Sequence, residues 1–123
     1  MIRIFLRVYF QPDAWIGPGK VQLLEGIRDH GSISAAGRAM DMSYLRAWLL
    51  VDSVNRMFRE PAVRTLVGGR RGGAATLTPF GHELIRRYHA MEAVTRQATA
   101  SDAAALERRI RPSPRAPRRR RMR

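Results

Sequence analysis

The chain has 123 residues, 45% of them hydrophobic, which is enough for one modest core but too little for a second domain. Its formal net charge of +13 at pH 7 indicates a polyanionic partner. Nucleic acid is the commonest such partner, and a membrane surface or an acidic protein is the alternative. Because the chain contains no cysteine, disulfides, thiolate catalysis and cysteine-based zinc sites are excluded.

The first residues alternate between apolar and other side chains. From residue 2 to residue 10 the even positions are apolar and Arg3 and Arg7 lie between them, which predicts a strand with one buried face. Residues 11–17 are predicted to form a turn. The two arginines and the lack of a small-residue cleavage site argue against a signal peptide, and no apolar run is long enough to span a membrane. We therefore expect a cytoplasmic protein with no membrane partner.

Two helices are predicted next. Pro18 suits the first turn of a helix that runs to about Asp29, and Gly31 supplies the left-handed residue that ends it. Ser32 can cap a second, short helix that ends near Met40. That helix has a face of small residues suited to close packing, formed by Ala35, Ala36, Ala39 and Met40.

A third helix is predicted to run from its cap, Ser43, to Phe58. Its apolar residues recur at helical spacing, at Ala47, Val51, Val54 and Phe58. About three residues separate it from the second helix. Two helices joined so briefly must cross steeply, and this is the helix-turn-helix arrangement.

A hairpin and a long helix complete the predicted fold. Residues 63–67 and 74–78 are strand-like runs on either side of a glycine-rich segment, which predicts a wing. Thr78 caps a last helix with Pro79 in its first position, and one stripe of this helix has roughly heptad spacing: Leu84, Tyr88, Met91, Thr95 and Ala98. The expected fold class is mainly α with a small β-wing, a winged helix-turn-helix with a long C-terminal dimerisation helix.

The positive charge is concentrated at the end of the chain. Nine of the 23 basic residues are arginines within the last sixteen positions, which contain no acidic residue. We expect a folded domain of residues 1–110 and a disordered arginine-rich tail of residues 111–123, since proline, serine, alanine and arginine cannot bury a core. Such a tail adds affinity for any phosphate backbone, or else is a dispensable end.

The segment from Gly31 to Phe58 resembles the helix-turn-helix of LysR-type regulators and, more closely, the N-terminal domain of ModE-type molybdate-responsive regulators. The resemblance covers about residues 18–95, and the features that carry it occur in the same order: Gly31-Ser32-Ile33-Ser34, Met42-Ser43-Tyr44, Arg46-Ala47-Trp48, Gly68 to Gly73 and Leu77-Thr78-Pro79-Phe80-Gly81. It implies a winged-helix fold, a symmetric homodimer, a third helix in the major groove and a wing on the DNA backbone.

Two features depart from that family. The chain ends in the arginine-rich tail with no room for molybdate-binding domains, so no small-molecule effector is evident and molybdate sensing by that route is not expected. Leu45 stands where the family has a basic residue, which leaves the base preference at that position open.

The residues expected to bind DNA belong to three elements. A recognition helix presents its first turn to the base edges, so we expect contacts from Ser43, Tyr44, Leu45 and Arg46, with Arg46 on a guanine. The alternatives are a solvated charge for Arg46 and a ring packed against the second helix for Tyr44. We expect Trp48 to lie in the core, because Ala47 and Val51 belong to the buried stripe.

The other two elements are expected to contact the phosphate backbone. Ser32 and Ser34 begin the second helix, whose N-terminus can hold a phosphate, or they only cap it. Arg64, Arg70 and Arg71 on the wing suit phosphate or minor-groove contacts, the alternative being a solvated hairpin.

No pattern in the sequence predicts catalysis or a metal site. His82 and His89 can share a helix face, but no further ligand joins them at metal-binding spacing, and Glu83 and Glu92 have no partner arranged for acid–base work. We therefore expect neither an enzyme nor a cofactor.

The function expected from the sequence is a transcriptional regulator that binds double-stranded DNA as a homodimer on a two-fold symmetric operator, associated with the bacterial nucleoid. One alternative is a nonspecific or architectural nucleic-acid-binding protein dominated by the arginine tail. The other is a winged-helix protein-interaction module that docks a partner through Leu45, Leu49 and Leu50.

Overall fold

The computed structural model describes residues 2–66 and 73–112. The elements are β1 (Val8–Gln11), β2 (Ala14–Ile16), α1 (Pro18–His30), α2 (Ile33–Ala39), α3 (Tyr44–Met57), β3 (Val63–Thr65), β4 (Ala75–Leu77) and α4 (Pro79–Glu107). Strands β1 and β2 form one antiparallel hairpin and β3 and β4 form another, which is the wing. This order confirms the predicted winged helix-turn-helix. The predicted wing tip and all but two residues of the predicted tail lie outside the described residues.

The N-terminal strand and turn were predicted with the wrong extent. Only Val8–Gln11 is a strand, and the predicted turn contains its partner, Ala14–Ile16. Residues 2–7 are described and are not paired in a sheet. Instead, the carbonyl of Leu6 accepts a hydrogen bond of 2.5 Å from the Tyr88 hydroxyl of α4, and Ile4 and Leu6 are half-buried. The alternation of this segment therefore reflects packing against a helix, and β2 is too short for its pattern to be recognised.

A stack of two cations on one ring attaches the first hairpin to α1. The Arg7 guanidinium lies 4.0 Å and the Lys20 ammonium 3.6 Å from the centre of the Trp15 ring. Lys20 also donates a hydrogen bond of 2.9 Å to the Trp15 carbonyl. Burial, and then the nearby charge of Arg7, lowers the pKa of Lys20. This buried lysine of α1 had no signal in the sequence.

The three-helix core depends on small residues where the helices cross. A Cβ atom on Gly37 of α2 would lie 2.9 Å from the Ala47 Cβ of α3, and one on Gly26 of α1 would lie 3.0 Å from the Ala36 Cβ. The predicted small face of α2 is thus only partly right. Ala36 and Gly37 are buried, whereas Ala39 is exposed.

Single side chains fasten the wing to the helices. The Asn55 side chain of α3 accepts hydrogen bonds from the amides of Ala62 (2.8 Å) and Val63 (3.1 Å) and donates one to the Val63 carbonyl (3.0 Å). Thr78 caps α4, as predicted: its hydroxyl accepts a hydrogen bond from the Gly81 amide and donates one to the Pro61 carbonyl. The wing is therefore held at both of its ends.

Three phenylalanine rings join the end of α3 to β1 and α4. The Phe58 ring packs edge-on against Phe10, with ring centres 5.9 Å apart, and against Phe80, with ring centres 5.0 Å apart. Phe58 directly follows Met57, the last residue of α3. Its position is thus fixed by packed rings on two other elements.

The last helix leaves the core after its third turn. Leu84, Ile85 and Tyr88 are buried, but Met91 is 37% exposed and Val94 is 64% exposed, so apolar side chains of α4 continue beyond the core. No helix in the described part of the chain is long and apolar enough to cross a membrane.

Candidate nucleic-acid interface

The turn between α2 and α3 is closed by backbone hydrogen bonds. The amides of Met40 and Met42 both donate to the Gly37 carbonyl at 3.0 Å, and Asp41 adopts a left-handed conformation with φ of 56°. The Ser43 hydroxyl then accepts a hydrogen bond of 3.1 Å from the Arg46 amide and caps α3. Ser43 thus sets where α3 begins, as predicted, and its hydroxyl is engaged in that cap.

The two serines predicted to meet phosphate both make hydrogen bonds inside α2. The Ser32 hydroxyl accepts one of 3.0 Å from the Ala35 amide, which is the predicted cap. The Ser34 hydroxyl accepts one of 3.1 Å from the exposed guanidinium of Arg38. The Ser32 contact agrees with the capping alternative, whereas Ser34 bonds a side chain and does not cap α2, and a phosphate contact by either serine stays a prediction.

The first turn of α3 is open to solvent. Tyr44, Leu45 and Arg46 are all exposed, and Tyr44 is therefore not packed into the core. In the described ranges, 2–66 and 73–112, Arg46 forms no ion pair with a carboxylate. Its guanidinium is thus available for an external partner.

The prediction that Trp48 lies in the core is wrong. Its side chain is 41% exposed, while Ala47, Val51 and Val54 form the buried stripe of α3. The reason is the helical repeat, because a residue directly after Ala47 is turned about 100° away from the core side. Trp48 therefore extends the exposed face that begins at Tyr44.

The exposed face of α3 also includes Leu49, which was not predicted as a DNA contact. Leu45 is 65% exposed and Leu49 is 53% exposed. A helical projection of the predicted stripe could have found Leu49, since it lies opposite Ala47 and Val51. From the sequence, Leu49 is expected only in a protein-docking patch, together with Leu45 and Leu50. Leu50 is half-buried and packs against the core.

Of the three wing arginines, only Arg64 belongs to the described residues. Arg64 is exposed on β3 and lies opposite Thr76 of β4. Arg70 and Arg71 lie outside the described residues, and their contacts with DNA stay predictions.

His89 is engaged with two carboxylates rather than with His82. Its Nδ1 lies 2.7 Å from a Glu92 oxygen and its Nε2 lies 3.0 Å from a Glu25 oxygen of α1. These hydrogen bonds, to Glu92 first and then to Glu25, raise the pKa of His89. The contact with Glu92 spans three residues of α4, whereas the contact with Glu25 joins two helices and had no signal in the sequence.

A second open surface runs along α4 and the N-terminal segment. Two apolar grooves of about 390 and 420 Å³ adjoin here and share Ala90 and Met91. The first is bordered by Leu6, Val8, Val94 and Thr95, and the second by Phe10, Ile16, Phe58, Phe80, Leu84 and Arg87. This surface is distinct from the exposed face of α3.

Comparison with models of known protein families gives no match. The chain is 38% identical over 73 residues to the molybdenum transport protein ModE of Azotobacter vinelandii, which is 59% of this chain and 27% of the relative. It is 45% identical over 80 residues to the molybdenum-pterin-binding protein MopB of Rhodobacter capsulatus. The match covers 65% of this chain and 30% of MopB. It is 30% identical over 95 residues to the DNA-binding transcriptional dual regulator ModE of Escherichia coli K12. That match covers 77% of this chain and 36% of the relative. The chain spans about a third of the length of these relatives.

Proposed function

Since this chain carries a winged helix-turn-helix domain of the ModE type, we propose that it is a transcriptional regulator that binds DNA sequence-specifically, as a homodimer on a two-fold symmetric operator. It acts on the chromosomal DNA of the bacterial cytoplasm. The molybdenum in the relatives' names belongs to those longer proteins, and the proposal for this chain concerns DNA binding.

The observation that carries the proposal is the open first turn of α3. A helix-turn-helix lays this turn in the major groove, and here Tyr44, Leu45 and Arg46 are exposed beyond the Ser43 cap. The guanidinium of Arg46 has two parallel donors that match the O6 and N7 atoms of guanine. The net charge of +13 supplies the attraction to phosphate.

The homodimer is supported by the apolar surface on α4. A soluble monomer rarely leaves a continuous apolar surface uncovered, and the grooves beside Met91 and Val94 are lined mainly by apolar side chains. A two-fold axis along this surface buries the same side chains from both copies. It also leaves the exposed face of α3 uncovered in each copy.

Selection from a random duplex library at about physiological salt tests the proposal. We expect the bound fraction to be enriched in one two-fold symmetric motif. The Arg46→Ala variant is expected to lose about 1–3 kcal/mol on that motif and to relax the preference at one base pair of each half-site. Salt-sensitive binding without any enriched motif would instead identify a nonspecific DNA-binding protein.

A further inference from the structure

The solvent side of α3 is apolar where it would be expected to carry charge. Leu45 and Leu49 are four residues apart, so they lie one above the other on the side opposite Ala47 and Val51. Both are more than half exposed, and the rings of Tyr44 and Trp48 border them on one side.

The charged groups around these leucines limit what can cover them. Arg46 lies on the other side, and Asp52 and Arg56 follow on the same stripe, paired with each other at 3.5 Å. The apolar patch of Leu45 and Leu49 is thus bounded towards the end of the helix by an internal ion pair. At its start it is flanked by Arg46, which pairs with no carboxylate in the part of the chain that the structure describes. With a net charge of +13, the partner that fits is polyanionic at its rim and offers apolar groups inside.

The major groove of DNA has this chemistry. Phosphates line its edges, and the one apolar group on its floor is the C5-methyl of thymine. Leucine side chains cannot form hydrogen bonds with base edges, so they can distinguish bases only through such a methyl group. Four residues of helix correspond to about 6 Å, close to two base steps of 3.4 Å.

We propose that Leu45 and Leu49 read thymine by contact with its C5-methyl group, at two positions about two base steps apart in each half-site. This inference rests on the proposed DNA-binding function and states which base the helix recognises. In this arrangement Arg46 contacts a guanine and the two leucines contact the neighbouring thymines. Leu45, which replaces the basic residue of the family, would then change the preferred base at its position to thymine.

Replacing thymine by deoxyuridine tests the inference, because it removes only the methyl group and leaves every hydrogen-bonding group of the base. Starting from the selected operator, each thymine is replaced in turn and the Kd is measured by fluorescence anisotropy. We expect binding to weaken about fourfold at each contacted position, the value for one buried carbon group. Thymines elsewhere in the duplex should have no effect.

Variants assign each methyl group to a side chain. Leu45→Ala should abolish the difference between thymine and deoxyuridine at one position, and Leu49→Ala should abolish it at the other. Leu106→Ala, an equally exposed leucine at the far end of α4, should keep both differences. Circular dichroism of each variant verifies that the helices are intact.

The outcomes separate this inference from the function on which it rests. A selected operator that binds equally well with thymine and with deoxyuridine at every position overturns the methyl readout and leaves the specific regulator in place. If no sequence is selected, the proposed function fails. Salt-sensitive binding without a motif then identifies a nonspecific DNA-binding protein, and absence of DNA binding makes the leucine patch a protein-docking surface.

Discussion

Asn55 shows how one side chain can determine the position of a whole hairpin. It satisfies two backbone amides and one carbonyl of residues 62 and 63, and Ala62 is fully buried. We expect Asn55→Ala to lower the free energy of unfolding by about 2–3 kcal/mol, because the buried amides are left without acceptors. Urea denaturation measures this change.

The neighbouring residue supplies the control for Asn55. Arg56→Ala removes an exposed ion pair with Asp52, so the free energy of unfolding should change by no more than about 0.5 kcal/mol. Asn55→Asp keeps the acceptor and loses the donor, and it should be intermediate. Equal stability of wild type and Asn55→Ala would mean that the wing is held by other contacts.

At the residue scale, the sequence predicted the caps correctly and the exposure of Trp48 wrongly. Ser32, Ser43 and Thr78 cap through partners only three residues away, so their pattern is local. The partners of Asn55 lie seven and eight residues away, and no short motif indicates them. The exposed tryptophan broke the rule that large apolar residues next to a buried stripe are themselves buried.

At the scale of helices, two helical glycines should respond to alanine in opposite directions. Gly37→Ala places a Cβ against Ala47 where α2 crosses α3, so we expect a loss of about 1–3 kcal/mol in the free energy of unfolding. Gly19→Ala meets no atom within 4 Å in α1 and should gain up to about 1 kcal/mol from helix propensity. Chemical denaturation of both variants compares them. A gain for both would mean that the crossing tolerates a wider spacing.

The ion pair between α1 and α4 makes stability depend on pH. The folded-state pKa of His89 lies above its ordinary value of 6.5, because of Glu92 first and then Glu25. The charged pair therefore contributes fully below about pH 6.5, and its contribution is lost as the pH rises through the folded-state pKa. The effect is small, since the His89 side chain is 48% exposed.

Thermal unfolding between pH 5 and pH 8 tests this dependence. We expect His89→Gln to lower the Tm most at the acidic end, with the difference from wild type shrinking towards pH 8. His82→Gln, an exposed histidine of the same helix, should follow the wild type at each pH. A Tm difference for His89→Gln that does not vary with pH would contradict the charged pair.

At the element scale, the sequence predicted the four helices and the wing but not the first hairpin. The helices have caps and stripes of their own, and these signals do not depend on distant residues. The β1–β2 hairpin is positioned by Ile16 in the core and by the stack on Trp15, which are contacts with α1. Such contacts exist only in the folded chain.

At the scale of the whole molecule, the apolar surface of α4 should control assembly. We expect Val94→Glu to turn the proposed dimer into a monomer in sedimentation experiments, because a carboxylate would be buried against the grooves beside Leu6 and Val8. The affinity for the full operator should fall about tenfold or more, because two linked copies no longer bind the two half-sites at the same time. Ala93→Glu adds the same charge on an exposed position that borders neither groove and should remain a dimer. A Val94→Glu variant that is still dimeric would place the two-fold axis elsewhere.

The three phenylalanines that pack edge-on around Phe58 have a consequence for the length of the proposed DNA site. Phe58 directly follows α3, Phe80 lies in the first turn of α4 and Phe10 borders the apolar surface, so ring packing fixes the angle between α3 and that surface. In the proposed dimer, the two copies of α3 are then expected to enter major grooves at one set distance, about one turn of the double helix for this class of protein. The number of base pairs between the half-sites would thus be determined by aromatic rings that contact no base.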